Sequence, residues 1–131
     1  MKDSQLIKLL KTFTPKEIKK FSEFISSPYF NKNKNVIKLY EILRKDYPDF
    51  DKLSKEHVFE KIFPGKDYKV NNLRILIHQL YENAKEYITH KRFTDIIYNY
   101  RYKEVLIYDL YERELYDESG KEIDKAILDI N

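Results

Sequence analysis

The sequence predicts an all-α fold, a bundle of about six to seven helices stacked as antiparallel hairpins with no sheet. Three observations carry that expectation. An apolar seam runs through VNNLRILIHQLYENAKEYITHK, Val70–Lys91, at Val70, Leu73, Ile77, Leu80, Ala84 and Tyr87. Its alternating three- and four-residue steps mark one face of a helix. Two earlier segments, FTPKEI and LSKEHV, open with helix-capping chemistry. The chain also holds only 2 glycines and 4 prolines, without an Asn-Gly or Asp-Gly pair. A β-sandwich or barrel of this size needs many tight turns.

Composition narrows the class further. The 131 residues suit one helical domain, 1–131, with short capped helices over 1–64 and longer ones over 65–131. Hydrophobic content of 42% and aromatic content of 15% are ample for a packed interior. Cysteine is absent, which rules out a disulfide framework, a thiolate nucleophile and a Cys-based zinc site. MKDSQLIKLLKTF carries charges through its apolar residues and lacks a signal-peptide core. Purely apolar runs such as Val105–Tyr108 fall far short of the roughly 20 residues that span a bilayer. A cytoplasmic chain without membrane attachment is expected. The net charge of +3 is unevenly spread. Residues 1–64 hold 14 Lys/Arg against 9 Asp/Glu, and residues 65–131 hold 11 against 13. The basic excess is densest at Lys8, Lys11, Lys16, Lys19 and Lys20, where a solvated helix face is the commoner explanation than an anionic partner.

Taken in order, a first helix is expected over about Ser4–Phe13, with Leu6, Leu9, Leu10 and Phe13 inward. Thr14, Pro15 and Glu17 then form a cap, a first-turn proline and a capping box, and Phe13 and Ile18 can staple the entry. Ile18, Phe21, Phe24 and Ile25 face the core of this second helix, which stops before Ser26-Ser27-Pro28. In the linker SSPYFNKNKN, Tyr29 and Phe30 stand where an aromatic pair plugs the gap between helix ends. The third helix is expected over Asn35–Tyr47, ended by Pro48. The fourth, Lys55–Phe63, is capped by Ser54 and ended by Pro64-Gly65.

The central helix follows. Ile75 interrupts its polar side, so its first half is apolar nearly all round and should be covered from two directions. The seam fails at Lys91 and Thr94. Phe93, Thr94 and Tyr98 repeat a staple-and-cap pattern that places a new helix near Asp95. Over Asp95–Glu118 apolar residues occupy most faces, and Ser119-Gly120 either interrupts or frays a final helix reaching Ile130.

The run TPKEIKKFSEFISSPYFNKNKNVIKLYEILRKDYPDF, followed by HVFEKIFPGKDY, resembles the N-terminal region of an uncharacterised bacterial family of all-helical proteins. The likeness covers roughly the first 90 residues, and SPYFN at Ser27–Asn31 is its most specific piece. It implies a helical bacterial protein continuing beyond Asn131, and it brings no activity or binding residues.

Few residues invite a chemical role. His78, Glu82, Glu86 and His90 stand four apart on one helix, a spacing that could line up zinc, iron or manganese ligands. They drift opposite the seam, where a solvated strip is expected, and no second helix offers a matching set. His57 lacks a nucleophile partner. Asp46, Asp49 and Asp51 lack the glycine and closing glutamate of a calcium loop. Gly65 and Gly120 are isolated, so there is no phosphate loop or dinucleotide fingerprint and no cofactor is expected.

YNYRYK, Tyr98–Lys103, is the more informative patch. Tyrosines stack on bases and arginine pairs with phosphate, which would suit single-stranded nucleic acid. Helical alternation instead spreads the rings over opposing faces, and the C-terminal half is net acidic. Half-buried rings with wet hydroxyls are the plainer expectation. Eight of the twelve tyrosines lie between Tyr81 and Tyr116. A helix apolar on most sides must bury more than one face, and tyrosine and arginine are enriched at interface centres. The leading expectation is a non-enzymatic helical module binding a protein partner or a second copy through Tyr98, Tyr100, Arg101, Tyr102, Tyr108 and Tyr111. The alternative is a nucleic-acid-associated protein using Lys8–Lys20 or Tyr98–Lys103.

Overall fold

The computed structural model describes the backbone of Met1 and residues 4–130, with their side chains except at 99, 100, 129 and 130. The described residues form seven α-helices and one π-helical segment, with no strand: α1 (Gln5–Lys11), α2 (Pro15–Ser26), α3 (Lys34–Arg44), α4 (Lys55–Ile62), α5 (Val70–Ile96), the π segment (Ile97–Arg101), α6 (Tyr102–Glu112) and α7 (Tyr116–Ile130). The fold is all-α. The chain divides into two compact units, Met1–Ile88 and Thr89–Asn131, with the boundary inside α5.

In the first unit the caps act as their chemistry requires. The Glu17 amide donates to Thr14 Oγ1 at 3.2 Å and the Thr14 amide donates to Glu17 Oε1 at 2.9 Å, a complete capping box with Pro15 at the first position. Ser4, Asn33 and Ser54 cap α1, α3 and α4. Helices α1 and α3 stop short of the expected Phe13 and Tyr47, at Lys11 and Arg44. After α3 the chain turns through a cis Tyr47-Pro48 bond to Phe50, a fully buried residue at φ 52°.

The core of this unit is aromatic at its centre. The Phe21 ring lies 4.8 Å from Tyr40 in an edge contact, 5.4 Å from Tyr87 and 5.7 Å from Phe13, which joins α2, α3 and α5. Such pairs add about 0.5–1.5 kcal/mol each beyond the area they bury. The buried Tyr40 hydroxyl donates to the Ile18 carbonyl at 2.6 Å, and burial pushes its pKa well up. Tyr47 donates to the Phe13 carbonyl at 2.6 Å.

Leu73, Leu76, Leu80, Ala84 and Tyr87 of α5 are buried and Ile77 is partly so, which makes the seam a core face. The first half of α5, expected to be covered from two directions, is open over part of its second side. Val70 and Ile75 are exposed. Asn83, by contrast, is buried beside the seam.

In the second unit the helix expected to begin near Asp95 does not. Thr94 lies inside α5, which continues to Ile96. No proline or glycine stands between Gly65 and Gly120 to break the hydrogen-bond ladder, so a cap-like residue there has no terminus to cap. The break comes instead at the π segment. Ser119 and Gly120 also lie inside a helix, α7. The turn is made earlier, at Arg113–Leu115. Glu114 adopts φ 63°, its amide donates to the Tyr111 carbonyl at 2.9 Å, and the Leu115 amide donates to the Leu110 carbonyl at 2.9 Å. These are the paired bonds of a Schellman ending, with glutamate where glycine usually stands.

Candidate functional site

Helices α6 and α7 form a hairpin held by polar contacts. Lys103 Nζ lies 2.9 Å from Glu122 Oε2, and the Ser119 hydroxyl donates to the Ile107 carbonyl at 3.1 Å. The hydrogen bond from Lys103 holds the Glu122 carboxyl below the usual carboxylate range, with Lys125 adding to the effect. On α6, Lys103, Leu106, Ile107 and Leu110 are half-buried, as is Ala126 on α7. Ser119 is the one buried residue among the described side chains of 89–131. An amphipathic helix pair normally encloses an apolar strip. Here no apolar side chain that is described reaches burial.

The tyrosines named from the sequence are mostly on the surface. Tyr98 is 69% exposed, Tyr108 67% and Tyr111 58%; Tyr102 and Arg101 are exposed as well. The expectation that the rings of the Tyr98–Lys103 patch are half-buried is therefore corrected for Tyr98 and Tyr102, because among the described residues of this unit no apolar side chain is buried to form a core they could enter. The Tyr100 side chain lies outside the described residues. Tyr98 and Tyr102 bring their ring centres to 5.3 Å, and Tyr111 meets Tyr116 edge-on at 5.1 Å across the turn. At 100° per residue, Tyr102 and Tyr111 fall on opposite flanks of α6, with Val105 and Tyr108 between them. The rings make no single flat platform. Further apolar exposure lies at Val105, Ile123, Ile127 and Leu128, the last 72% exposed.

The SPYFN turn splits its aromatic pair. Phe30 stacks on Phe24 at 4.1 Å, as a plug between helix ends should, whereas Tyr29 is 88% exposed. Sequence reasoning missed the residue that fixes this turn. Buried Asn31 donates through Nδ2 to the Ile25 carbonyl at 2.9 Å and the Asn33 carbonyl at 3.2 Å. Its Oδ1 accepts from the Asn33 amide at 3.0 Å and from Gln79 Nε2 at 3.5 Å. Asn33 in turn donates to Gln79 Oε1 at 3.2 Å. The density of Asn in this linker was the only available signal.

His78, Glu82, Glu86 and His90 are exposed on α5, and Glu82 is engaged by Lys85 at 2.7 Å. Among the described residues no three His, Asp or Glu side chains converge as metal ligands. Asp46 is used structurally, its Oδ2 accepting from the Lys52 amide at 2.8 Å. Among the described residues no helix is long and apolar enough to cross a membrane. No family model, curated protein or solved structure matches the chain.

Proposed function

We propose that this chain is a non-enzymatic, cytoplasmic helical module whose α6–α7 hairpin binds a protein. The observation that supports this is the hairpin's lack of a buried apolar side chain among its described residues, alongside exposed Tyr98, Tyr102, Val105, Tyr108 and Tyr111. Exposed apolar surface of this kind costs free energy in water and is relieved by docking. Tyrosine suits the role, since its ring buries area at little entropic cost and its hydroxyl tolerates a wet rim.

A photo-crosslinking residue in place of Tyr108, with a control at exposed Glu56 on α4, tests the proposal in living cells. Protein adducts are expected from position 108 and not from 56. Absence of adducts at 108 overturns it.

A second reading, association with nucleic acid, is favoured by Lys8, Lys11, Lys16, Lys19 and Lys20, all exposed on α1 and α2. Titration of a fluorescent oligonucleotide at low and moderate salt separates the two. Steeply salt-dependent binding supports the second reading, and no binding at either salt supports the first.

A further inference from the structure

The outer face of α6 is patterned to meet itself. Arg101, the last residue of the π segment, and Val105, Tyr108 and Glu112 of α6 follow one another at steps of four, three and four, and the three α6 residues lie on the side away from half-buried Leu106, Ile107 and Leu110. That spacing is unchanged when the helix is reversed, while the chemistry inverts, from base to acid across an apolar middle. A second α6 laid antiparallel about a two-fold axis between Leu106 and Ile107 would set Arg101 against Glu112 twice, and Val105 against Tyr108 twice. Arg101 and Glu112 have no ion-pair partner among the described residues, and all four side chains are exposed. Glu104 and Asp109 also share heights about this axis, but they stand on opposite flanks of the face and are kept apart, and the Asp109 carboxylate is held by Arg113.

We propose that the occupant of this face is a second copy of the chain, joined through α6 in a two-fold, antiparallel pair. The proposal rests on the hairpin being a protein-binding surface and names the partner. Charge complementarity carries it. A closed two-fold contact needs a patch complementary to itself, and this face has one. Two eleven-residue helices make a small contact, so the pair is expected to be concentration-dependent.

Sedimentation of the full chain with charge reversals is the test. The unaltered chain is expected to double its mass with rising concentration. Arg101→Glu or Glu112→Arg alone sets like charges together twice and should weaken pairing at least about tenfold. Mixing the two single variants, or combining both changes in one chain, restores every opposite-charge contact and should restore pairing. Circular dichroism confirms that each variant stays helical. An unaltered chain that remains monomeric, or single variants that pair as well as it does, overturns the two-fold contact. In the cross-linking experiment, an adduct at twice the chain mass supports the second copy. An adduct of another mass overturns it while leaving the binding proposal standing, and no adduct overturns both.

Discussion

Lys103 of α6 and Glu122 of α7 meet at 2.9 Å, nineteen residues apart in the chain, and tie the two arms of the hairpin. Helices normally join through apolar side chains. This pair joins through an ammonium and a carboxylate, with the Ser119 hydroxyl bonded to the Ile107 carbonyl as the second fastening.

The first prediction concerns acid. Glu122 has its pKa lowered in the folded chain, so it binds a proton less readily there than when unfolded. Its contribution to stability is therefore present above the ordinary carboxylate pKa of about 4.3 and is lost as the pH falls through its lowered folded value. The protection of the α6 and α7 amides, taken relative to their intrinsic exchange rates at each pH, should fall over that window. Glu122→Gln should start less protected at neutral pH and lack that component of the pH response. Identical profiles for the two chains would contradict the assignment.

Glu114→Gly should stabilise the hairpin. Glu114 holds φ 63°, a left-handed conformation that costs a side-chain-bearing residue about 1 kcal/mol and glycine much less. Slower exchange of the α6 and α7 amides would show the gain; unchanged or faster exchange would refute it.

Asn31→Ala should destabilise the first unit by about 2–3 kcal/mol, because it strips partners from the Ile25 carbonyl and the Asn33 backbone in a buried turn. Asn31→Asp should be at least as harmful, since a carboxylate cannot donate to the Ile25 and Asn33 carbonyls. Urea unfolding monitored by far-ultraviolet circular dichroism measures both.

Leu80→Asp should unfold the first unit. A carboxylate in place of a fully buried leucine costs on the order of 5 kcal/mol, comparable to the whole stability of a small domain. Glu82→Lys, two positions on, should leave the melting temperature unchanged within error, because its pairing with Lys85 is solvent-exposed. Equal effects from the two substitutions would mean that the α5 seam is misassigned.

The elements legible in the sequence were those written in local chemistry. Thr14, Pro15 and Glu17 make their cap without help from distant residues, and the Leu73–Tyr87 seam needs only a helical period to be seen. The misread places lacked such local determination. Thr94 looks like a cap, yet a cap matters only where the ladder ends, and here it continues to Ile96. The turn at Glu114 carries no glycine, while Gly120 drew attention to a position that is helical. The role of Asn31 was faint in the sequence because many Asn share that linker, and its burial depends on folding against Gln79, far along the chain. The tyrosines of the candidate surface could be named from composition, but periodicity alone cannot separate a ring enclosed by its own unit from one left open. That distinction comes from the burial of Ser119 without any apolar companion among the described side chains of the hairpin.

Phe50 leaves its position little room to drift. Its ring is completely enclosed, 5.9 Å from Tyr47, while its backbone sits at a φ that favours glycine. A mutation to glycine would relax the main chain by about 1 kcal/mol and hollow the interior at about 3–5 kcal/mol. A β-branched replacement would fail on both counts. Selection is thus confined to large, unbranched-at-Cβ side chains at this one corner, and a library randomised there should return phenylalanine and its near neighbours in size.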